Sequence, residues 1–374
     1  MVSRAPLRHA RLPSDLDDVL RCPACRSRLE RHRAQYNCRE CGAVYSFVGE
    51  VPVLLDPSRS LYSVPAGSPG RLTLPERFLR LLERAVPDPS RNVKGLENLK
   101  LLGAHLDARH AGRRARVLVI GGQILGDGLE TLLHRESIDL VETDVTMGAR
   151  TALVCDAHDL PFADEAFDAV VIQEVLPSVS DPQRCVAEID RVLARDGFVY
   201  AENAFMQQAW GGRFDFTRWT LVGHRRLFRA FEEIRSGPVC GPGMALAWAW
   251  DYFLASFPTS RAARRAVRAF AHITGFWLKY FDSFLVSRPG ALDAASSFFF
   301  LGRKTGRIAT DRESVESYKG LTGTASRSGV TLQTRNVRPE RDKGQPERQQ
   351  IPAPAPPLPK GGRFYPEDSE DLLA

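Results

Sequence analysis

The chain has 374 residues, of which 43% are hydrophobic and 26% are charged, a composition typical of globular proteins. Its net charge of +6 permits contact with an acidic partner but does not require one. No apolar run has the length that spans a bilayer, no signal peptide is expected, and four of the seven cysteines form a metal-binding pattern. We therefore expect a protein of the reducing cytoplasm.

A metal-binding cysteine pattern follows an expected loose leader over residues 1–20. Two CxxC pairs supply four thiolates, the ligand set of a tetrahedral zinc site: Cys22, Cys25, Cys38 and Cys41. An all-cysteine site has no open coordination position, so we expect a structural zinc ion that replaces the core a short segment cannot build. Residues 21–55 are therefore predicted to form a zinc ribbon.

The predicted ribbon is rich in basic residues: Arg21, Arg26, Arg28, Arg31, His32, Arg33 and Arg39. Such residues usually form a solvated surface, and this is the interpretation we prefer. The alternative is a surface that contacts RNA or another polyanion.

Residues 56–90 are predicted to be a linker followed by a helix. Pro, Ser and Gly are frequent over residues 56–75. Apolar residues then recur at helical spacing over Leu74–Ala85, and again over Leu96–Arg109, which leads into the next domain.

From residue 116, strands and helices alternate, which predicts a parallel sheet with helices on both faces. Five buried strands are expected: Arg116–Ile120, Ile138–Val141, Thr151–Cys155, Phe167–Ile172 and Gly197–Ala201. A helix capped by Asp181 precedes the fifth strand. Ligands of such sheets bind at the carboxyl ends of the strands.

Three of these strand ends carry groups that suit a nucleoside. A glycine-bearing turn follows the first strand and allows a close backbone approach, and the helix after it, through Leu129 and Leu132, offers free N–H groups. Glu142 or Asp144, after the second strand, suits ribose hydroxyls, and Asp156, after the third, suits an adenine amino group.

An ordered set of motifs covers residues 116–203: Asp156–Phe162, Phe167–Val171, Asp181-Pro182, Glu188–Leu193 and Gly197. This set resembles the class I S-adenosylmethionine-dependent methyltransferases of the type 11 group. The resemblance implies an α/β, Rossmann-like sheet of seven strands over a domain at residues 91–304. It also implies a set of cofactor-binding residues: Gly121, Gly122 and Gly126 at the methionine part, Asp144 at the ribose, Asp156 and Ala157 at the adenine, and Gln173 near the transferred methyl.

Two residues depart from the family pattern. Val119 stands where the family usually has an acidic residue, and Gln123 replaces the second glycine of the turn. They motivate an alternative hypothesis, a catalytically degenerate binding module for RNA or a protein partner. A dehydrogenase that binds NAD is less favoured, because the turn lacks the G-x-G-x-x-G pattern.

A polar, aromatic and basic block follows the fifth strand, where class I methyltransferases place substrate-binding elements. Asp215, Arg218, His224 and Arg225 are the candidates for substrate contact, and His224 is the candidate general base.

A helical insertion is predicted over residues 241–294, between a sixth strand at Phe231–Ser236 and a seventh at Ser297–Leu301 that should pair antiparallel. We expect two or three amphipathic helices that form a cap on the sheet. The alternatives are a lid over an apolar or lipid-linked acceptor, or a peripheral membrane anchor. Residues 305–374 have few aromatic side chains and are expected to be disordered.

The leading hypothesis is a cytoplasmic methyltransferase that uses S-adenosylmethionine and carries a structural zinc ion. The sulfonium of the cofactor supplies the electrophile, so no catalytic metal is needed. The sequence leaves the acceptor open among a small molecule, a glycan or lipid-linked molecule, and RNA.

Overall fold

The computed structural model describes residues 12–63 and 86–321. Its strands are β1 (Leu29–Arg31), β2 (Gln35–Cys38), β3 (Val44–Val48), β4 (Val51–Leu54), β5 (Ala115–Ile120), β6 (Ile138–Asp144), β7 (Leu153–Cys155), β8 (Phe167–Gln173), β9 (Leu193–Ala204), β10 (Glu232–Cys240) and β11 (Ser297–Arg303).

Its α-helices are α1 (Gly95–Arg109), α2 (Glu130–Leu133), α3 (Pro182–Val192), α4 (Leu221–Leu227), α5 (Pro242–Ala255), α6 (Arg261–Gly275), α7 (Asp282–Leu285), α8 (Ala291–Ala294) and α9 (Asp311–Glu316). Short 3₁₀ helices lie at Ser14–Val19, Ala157–Asp159, Leu176–Ser178, Gly212–Phe214 and Phe276–Phe281.

The predicted seven-stranded sheet is present as β7-β6-β5-β8-β9-β11-β10. The first five of these strands run parallel, and β11 pairs antiparallel with both β9 and β10, as the sequence predicts for the last two strands. Strand β5 buries alternate residues on opposite faces, so that Leu118 packs with α3 and Val117 packs with α1.

The sheet has eleven strands rather than seven, because the ribbon extends it. β4 pairs in parallel with β7, through Val53 opposite Val154 and Leu54 opposite Cys155. All four residues of β4 are buried, and the strand lies between β3 of the ribbon on one edge and β7 of the larger domain on the other. The ribbon and the larger domain therefore share one continuous sheet, β1-β2-β3-β4-β7 and onwards.

The loose leader expected over residues 1–20 is wrong for its last residues. Leu16 and Leu20 are fully buried in the main core, and Leu20 forms a β-bridge with Phe162 of the larger domain. Apolar residues that follow no clear period can still be ordered when they fill a gap between two domains.

The helix predicted after the glycine turn has only four residues, α2, so the expected helix N-terminus is a short turn instead. The helix expected over residues 74–85 lies outside the described residues.

The predicted helical insertion is present as α5, α6, α7 and α8 with the 3₁₀ helix at Phe276–Phe281. Among the residues that the structure describes, none of the helices combines the length and apolar character needed to cross a bilayer. The tail expected to be disordered from residue 305 begins with an ordered segment, because Thr310 and Glu313 form a capping box at the start of α9. Residues 322–374 lie outside the described residues.

Candidate functional site

The four predicted zinc ligands converge. The Sγ atoms of Cys22, Cys25, Cys38 and Cys41 all lie within 4.8 Å of one another. Cys22 Sγ is 3.6 Å from Cys41 Sγ, and Cys25 Sγ is 3.4 Å from Cys38 Sγ. A zinc ion bound tetrahedrally at about 2.3 Å needs sulfur atoms about 3.8 Å apart, so this cluster fits a structural zinc ion.

The basic residues of the ribbon are largely committed to ion pairs. Arg26 binds Glu188 of the larger domain at 2.7 Å, and Arg59, which follows the ribbon, binds Asp159 at 2.9 Å. Three others pair within the N-terminal region: Arg28 with Asp18, Arg31 with Asp17, and Arg39 with Glu30. Four of the seven basic residues therefore form ion pairs within the protein, Arg26 with the larger domain, and the RNA contact remains a prediction.

A cavity of about 470 Å³ opens at the carboxyl ends of the parallel strands, a volume that suits a small-molecule ligand. Most of its walls come from the residues that follow β5, β6, β7, β8 and β9 and from the segment at residues 90–92. Of the predicted cofactor residues, all but Gly122 line it: Gly121, Gly126, Asp144, Asp156, Ala157 and Gln173.

The glycine turn fits closely around its neighbours. Gly121 has φ +80°, a left-handed conformation that favours glycine, and an added Cβ would lie 2.2 Å from Val175 Cγ2. The N–H groups of Gly121 and Gly122 both donate to the carbonyl of Thr143 at 2.9 Å. These two hydrogen bonds hold the turn against β6. Gly122 therefore has a structural role and does not line the cavity.

Asp144 is the acidic residue that faces the cavity at the end of β6. Its Oδ2 accepts from the backbone N–H of Gln123 at 3.2 Å, and its Oδ1 accepts from the backbone N–H of Thr146 at 2.9 Å. The alternative ribose ligand, Glu142, is buried and bound by Arg150 at 2.9 Å through Nε. Gln123, the departure from the family turn, thus orients the carboxylate through its backbone.

Asp156 already has protein partners on both carboxylate oxygens. Oδ1 accepts from the backbone N–H of His158 at 3.0 Å, and Oδ2 accepts from the hydroxyl of Ser60 at 2.5 Å. Burial opposes ionisation, but the hydrogen bonds from His158 and Ser60 outweigh it and lower the pKa of Asp156. Oδ1 also lies 2.6 Å from Nδ1 of His158, so Oδ2, which accepts only from Ser60 among the described residues, is the oxygen that can still accept from a ligand.

A second wall of the cavity, beside Asp156, was not predicted from the sequence. Tyr62, in the segment that follows the ribbon, lines the cavity, stacks on Phe214 with ring centroids 5.3 Å apart, and donates from its hydroxyl to the carbonyl of Ser178 at 3.1 Å. An aromatic ring at the adenine side of a nucleoside pocket offers a stacking surface.

Two glutamates, the half-buried Glu174 and the buried Glu202, were also missed. Glu174 directly follows the predicted Gln173, lines the cavity, and has φ +55°, an uncommon conformation outside glycine. Its Oε2 is buried and has no hydrogen-bond partner among the described residues. Burial raises the pKa of Glu174 to about 7, although a hydrogen bond from Ser297 and the charge of Arg218 oppose this shift.

Glu202, on β9, is the second of these glutamates. It is buried and accepts from Tyr200 and, at 3.0 Å, from Asn92. Burial and the neighbouring Glu174 raise the pKa of Glu202 to about 7 as well. Carboxyl groups with pKa values near neutrality in a cavity are typical of functional sites.

The predicted catalytic residues Asp215 and Arg218 do not line the cavity but pair with each other. Asp215 accepts from the backbone N–H groups of Trp210 and Gly211, and Arg218 donates to the carbonyls of Gln207 and Gln208 at 3.2 and 2.9 Å. Gln207 and Trp210 do line the cavity. The pair therefore positions a loop of the wall.

His224, the predicted general base, is 1% exposed and lies in the core rather than in the cavity. Its Nε2 is 2.7 Å from Asn203 Nδ2, and its ring packs against Phe228 and Phe300. Burial, followed by the charge of Arg225, lowers the pKa of His224 to about 3. The geometry thus offers His224 no route to a substrate, because the apolar core encloses its ring.

The fold and the cavity define a Rossmann-like domain with a nucleoside-type pocket. Residues 114–201 match a family model described as a methyltransferase domain, so the resemblance predicted from the sequence is confirmed over that segment. The search of curated proteins found no match.

Solved structures similar to this chain include a [4+2]-cyclase, SpnF, with 20% identity, a TM-score of 0.35, and coverage of 56% of this chain and 82% of that one. A putative sarcosine dimethylglycine methyltransferase from Galdieria sulphuraria has 14% identity and a TM-score of 0.38, covering 57% and 87%. The complex of the Haloferax volcanii Trm112 methyltransferase activator with a putative methyltransferase has 19% identity and a TM-score of 0.32, covering 56% and 92%.

Proposed function

We propose that this protein is an S-adenosylmethionine-dependent methyltransferase in which Glu174 accepts a proton from the acceptor. One continuous cavity carries the proposal. Nucleoside-type groups, Asp144 and Asp156, lie on one side of it, and Glu174 lies further along the same strand ends with a buried Oε2 that has no partner in the described part of the chain.

The residues on the β5, β6 and β7 side would hold the cofactor. The carboxylate of Asp144 is oriented by the backbone N–H groups of Gln123 and Thr146 and suits two ribose hydroxyls. Tyr62 and Asp156 suit the adenine. S-Adenosylmethionine, when bound, supplies a methyl group on a cationic sulfur that serves as leaving group. The altered glycine turn keeps the carboxylate oriented, which favours a working enzyme over the degenerate binding module.

The residues on the β8 and β9 side would serve the acceptor. An O–H or N–H acceptor uses a lone pair to form the new bond to carbon, the carbon–sulfur bond breaks with its electron pair going to sulfur, and the acceptor proton passes to the carboxylate of Glu174. A base works best with a pKa near the working pH, and the pKa of Glu174 is raised to about 7. Trp210 and Met244 supply apolar wall, which helps to exclude water from the reacting groups.

Calorimetric titration of the zinc-loaded protein with S-adenosylhomocysteine tests the cofactor assignment. We expect binding in the micromolar range that falls at least about a hundredfold in Asp144→Ala, because two charge-assisted hydrogen bonds are lost. Asp139→Ala is the matched control, since Asp139 lies on the same strand but pairs with Arg114 at the surface. NAD serves as the control ligand. Absence of binding to the folded protein would contradict the proposal.

The acceptor is sought with S-adenosylmethionine that carries a labelled methyl group, offered to separated small-molecule, lipid and RNA fractions. Glu174→Gln should keep its affinity for S-adenosylhomocysteine and lose about 10²- to 10⁴-fold in transfer rate, the usual contribution of a general base. Transfer at the wild-type rate in Glu174→Gln would remove Glu174 from the mechanism and leave the cofactor assignment intact.

A further inference from the structure

The helical insertion carries a large exposed apolar surface, which we call the aromatic face. Its members recur at helical spacing on α5, on α6 and on the turns that follow, and each is at least 37% exposed: Leu246, Trp250, Phe253, Phe257, Phe270, Ile273, Trp277, Phe281 and Phe284. Single exposed apolar residues are ordinary, but a contiguous set of this kind marks an interaction surface.

The two helical stripes of the aromatic face are joined. Trp250 on α5 donates from Nε1 to the hydroxyl of Thr274 on α6 at 3.0 Å, and an added Cβ on Gly275 would lie 3.3 Å from its ring. Along α5, the rings of Trp250 and Phe253 are stacked, and Phe253 meets Phe257 edge to face at 5.3 Å. Trp277 likewise packs edge to face on Phe281 at 5.8 Å.

The side of helix α6 that faces the protein consists of the small buried residues Ala271 and Gly275 and the half-buried Arg268 and His272. Arg268 binds the fully buried carboxylate of Asp251 at 2.9 Å, and Nε2 of His272 lies 3.6 Å from the same group. Phe270 and Ile273 are more than half exposed. A core-facing amphipathic helix buries its large apolar residues, so the cap that we preferred from sequence does not account for the exposure of Phe270 and Ile273.

The exposed charged side chains within residues 243–292, the stretch that carries the aromatic face, are positive. Asp251 and Asp282 are the only acidic residues between positions 243 and 292, and both are 0% exposed. Arg264 and Arg265 are exposed on α6, and the guanidinium of Arg288 lies 4.2 Å above the ring of Phe284. An exposed acid that would repel an anionic partner is therefore lacking on this stretch.

We propose that the aromatic face docks on an anionic lipid bilayer surface. Tryptophan and phenylalanine side chains insert at the boundary of headgroups and acyl chains, and neighbouring arginines attract acidic headgroups. Within residues 12–63 and 86–321, no element covers the face, and its charge complements an acidic membrane. The docking is independent of methyl transfer, although Met244, in the first turn of α5, also lines the cavity.

Vesicle co-sedimentation of the full chain tests the proposal, with vesicles of phosphatidylcholine alone and of phosphatidylcholine mixed with phosphatidylglycerol. We expect binding to the mixed vesicles that weakens as salt is added. The double variant Phe257→Ser, Phe284→Ser should lower the partition coefficient between vesicles and water at least about tenfold. The reason is that two aromatic rings are no longer transferred from water into the bilayer. Val44→Ser with Ile308→Ser is the matched control, since both residues are exposed and lie outside the insertion.

A charge pair of variants separates electrostatic attraction from apolar insertion. Arg264→Glu with Arg265→Glu should abolish the preference for the mixed vesicles, and Arg33→Glu with Arg195→Glu, the same charge change elsewhere on the surface, should keep most of it. Far-ultraviolet circular dichroism verifies that all variants are folded.

The outcomes that overturn the proposal are distinct. Absence of vesicle binding by the folded protein would contradict it, as would equal losses in test and control variants. Binding only to phosphatidylcholine would remove the anionic surface as the partner. A dimer in light scattering that Phe257→Ser dissociates, without vesicle binding, would assign the face to a second copy of the chain. None of these results depends on the cofactor, so failure here leaves the proposed methyl transfer untouched.

Discussion

The hydroxyl of Ser60 donates a 2.5 Å hydrogen bond to Oδ2 of Asp156, across 96 residues of chain. Ser60 belongs to the segment that leaves the ribbon, and Asp156 directly follows β7, the strand that pairs with β4. Tyr62, two residues after Ser60, forms part of the cavity wall. The ribbon and the cavity are thus mechanically joined, because the chain that leaves the zinc site builds the predicted adenine side of the pocket.

Ser60→Ala should weaken the binding of S-adenosylhomocysteine about three- to tenfold. The variant leaves Oδ2 of Asp156 without its hydroxyl donor and loosens the segment that carries Tyr62. A three- to tenfold loss equals about 0.7–1.4 kcal/mol, a part of the about 1.5–3 kcal/mol that a hydrogen bond to a charged group contributes, because Ser60 acts on the ligand only through Asp156. Calorimetry measures the dissociation constant. Ser58→Ala is the control, since the hydroxyl of Ser58 binds only the exposed Asp56 nearby. Equal affinities for the two variants would show that the contact is not coupled to the cofactor.

Removal of zinc should impair the cavity as well as the ribbon. Without the metal, the four thiolates no longer hold β1 to β4 in place, and the pairing of β4 with β7 is lost. We expect treatment with ortho-phenanthroline to lower the thermal unfolding midpoint and to weaken S-adenosylhomocysteine binding at least about tenfold, both restored by added zinc. The non-chelating meta isomer is the control. Unchanged cofactor affinity in metal-free protein would show that the larger domain is self-sufficient.

The raised pKa of Glu174 predicts a pH dependence of stability. Its ordinary pKa of 4.5 is raised to about 7 by burial, so between these values the folded protein keeps a proton that the unfolded chain has released. The free energy of unfolding therefore falls as pH rises through this window and levels off above about pH 7. Glu174→Gln should remove up to about 3 kcal/mol of that fall, the energy equivalent of the pKa shift.

Urea unfolding on either side of the window measures this effect. Glu165→Gln is the matched control, because Glu165 also has a positive φ, of 57°, but is exposed to solvent. A fall in stability that is the same for wild type and Glu174→Gln would mean that Glu174 ionises in the folded protein as readily as in water.

The sequence predicted the features that local patterns encode. The cysteine spacing identified the metal cluster, and the alternation of buried strands with helices identified the sheet, since both depend on residues close in the chain. The contact of Ser60 with Asp156 has no local signature. The extension of the sheet by β4 was also missed, because a strand of four buried residues does not reveal which domain buries it.

Predictions of site residues from side-chain chemistry were wrong where burial determines whether a residue reaches the cavity. His224 lies in a polar and basic stretch, which suggested a base, but Phe228 and Phe300 enclose it. Glu174 lies directly beside the predicted Gln173, and only the left-handed turn at the end of β8 places its carboxyl in the cavity. Similarly, the pattern of α6 predicts an amphipathic helix without predicting which side faces the protein.

The last prediction concerns Arg218 as a positioning residue. Its guanidinium binds Asp215 and the carbonyls of Gln207 and Gln208, and its positive charge holds the pKa of Glu174 below the value that burial alone would give. Arg218→Ala should therefore raise the KM for the acceptor, because the loop of Gln207 and Trp210 loses its anchor. It should also move the acid limb of the transfer rate to higher pH, because Glu174 becomes harder to ionise.

The pH profile of the transfer rate distinguishes this role from loss of structure, since a loosened loop alone would lower the rate at all pH values. Arg218→Lys should restore most of the profile, because the positive charge returns, while leaving KM raised, since a single ammonium cannot make the three contacts of the guanidinium. Arg213→Ala is the control, because Arg213 lies exposed on the same loop and only covers the ring of Phe214. If the acid limb of the pH profile stays at the same pH in Arg218→Ala, the charge of Arg218 does not affect the ionisation of Glu174. Arg218 would then only hold the loop of Gln207 and Trp210 in place.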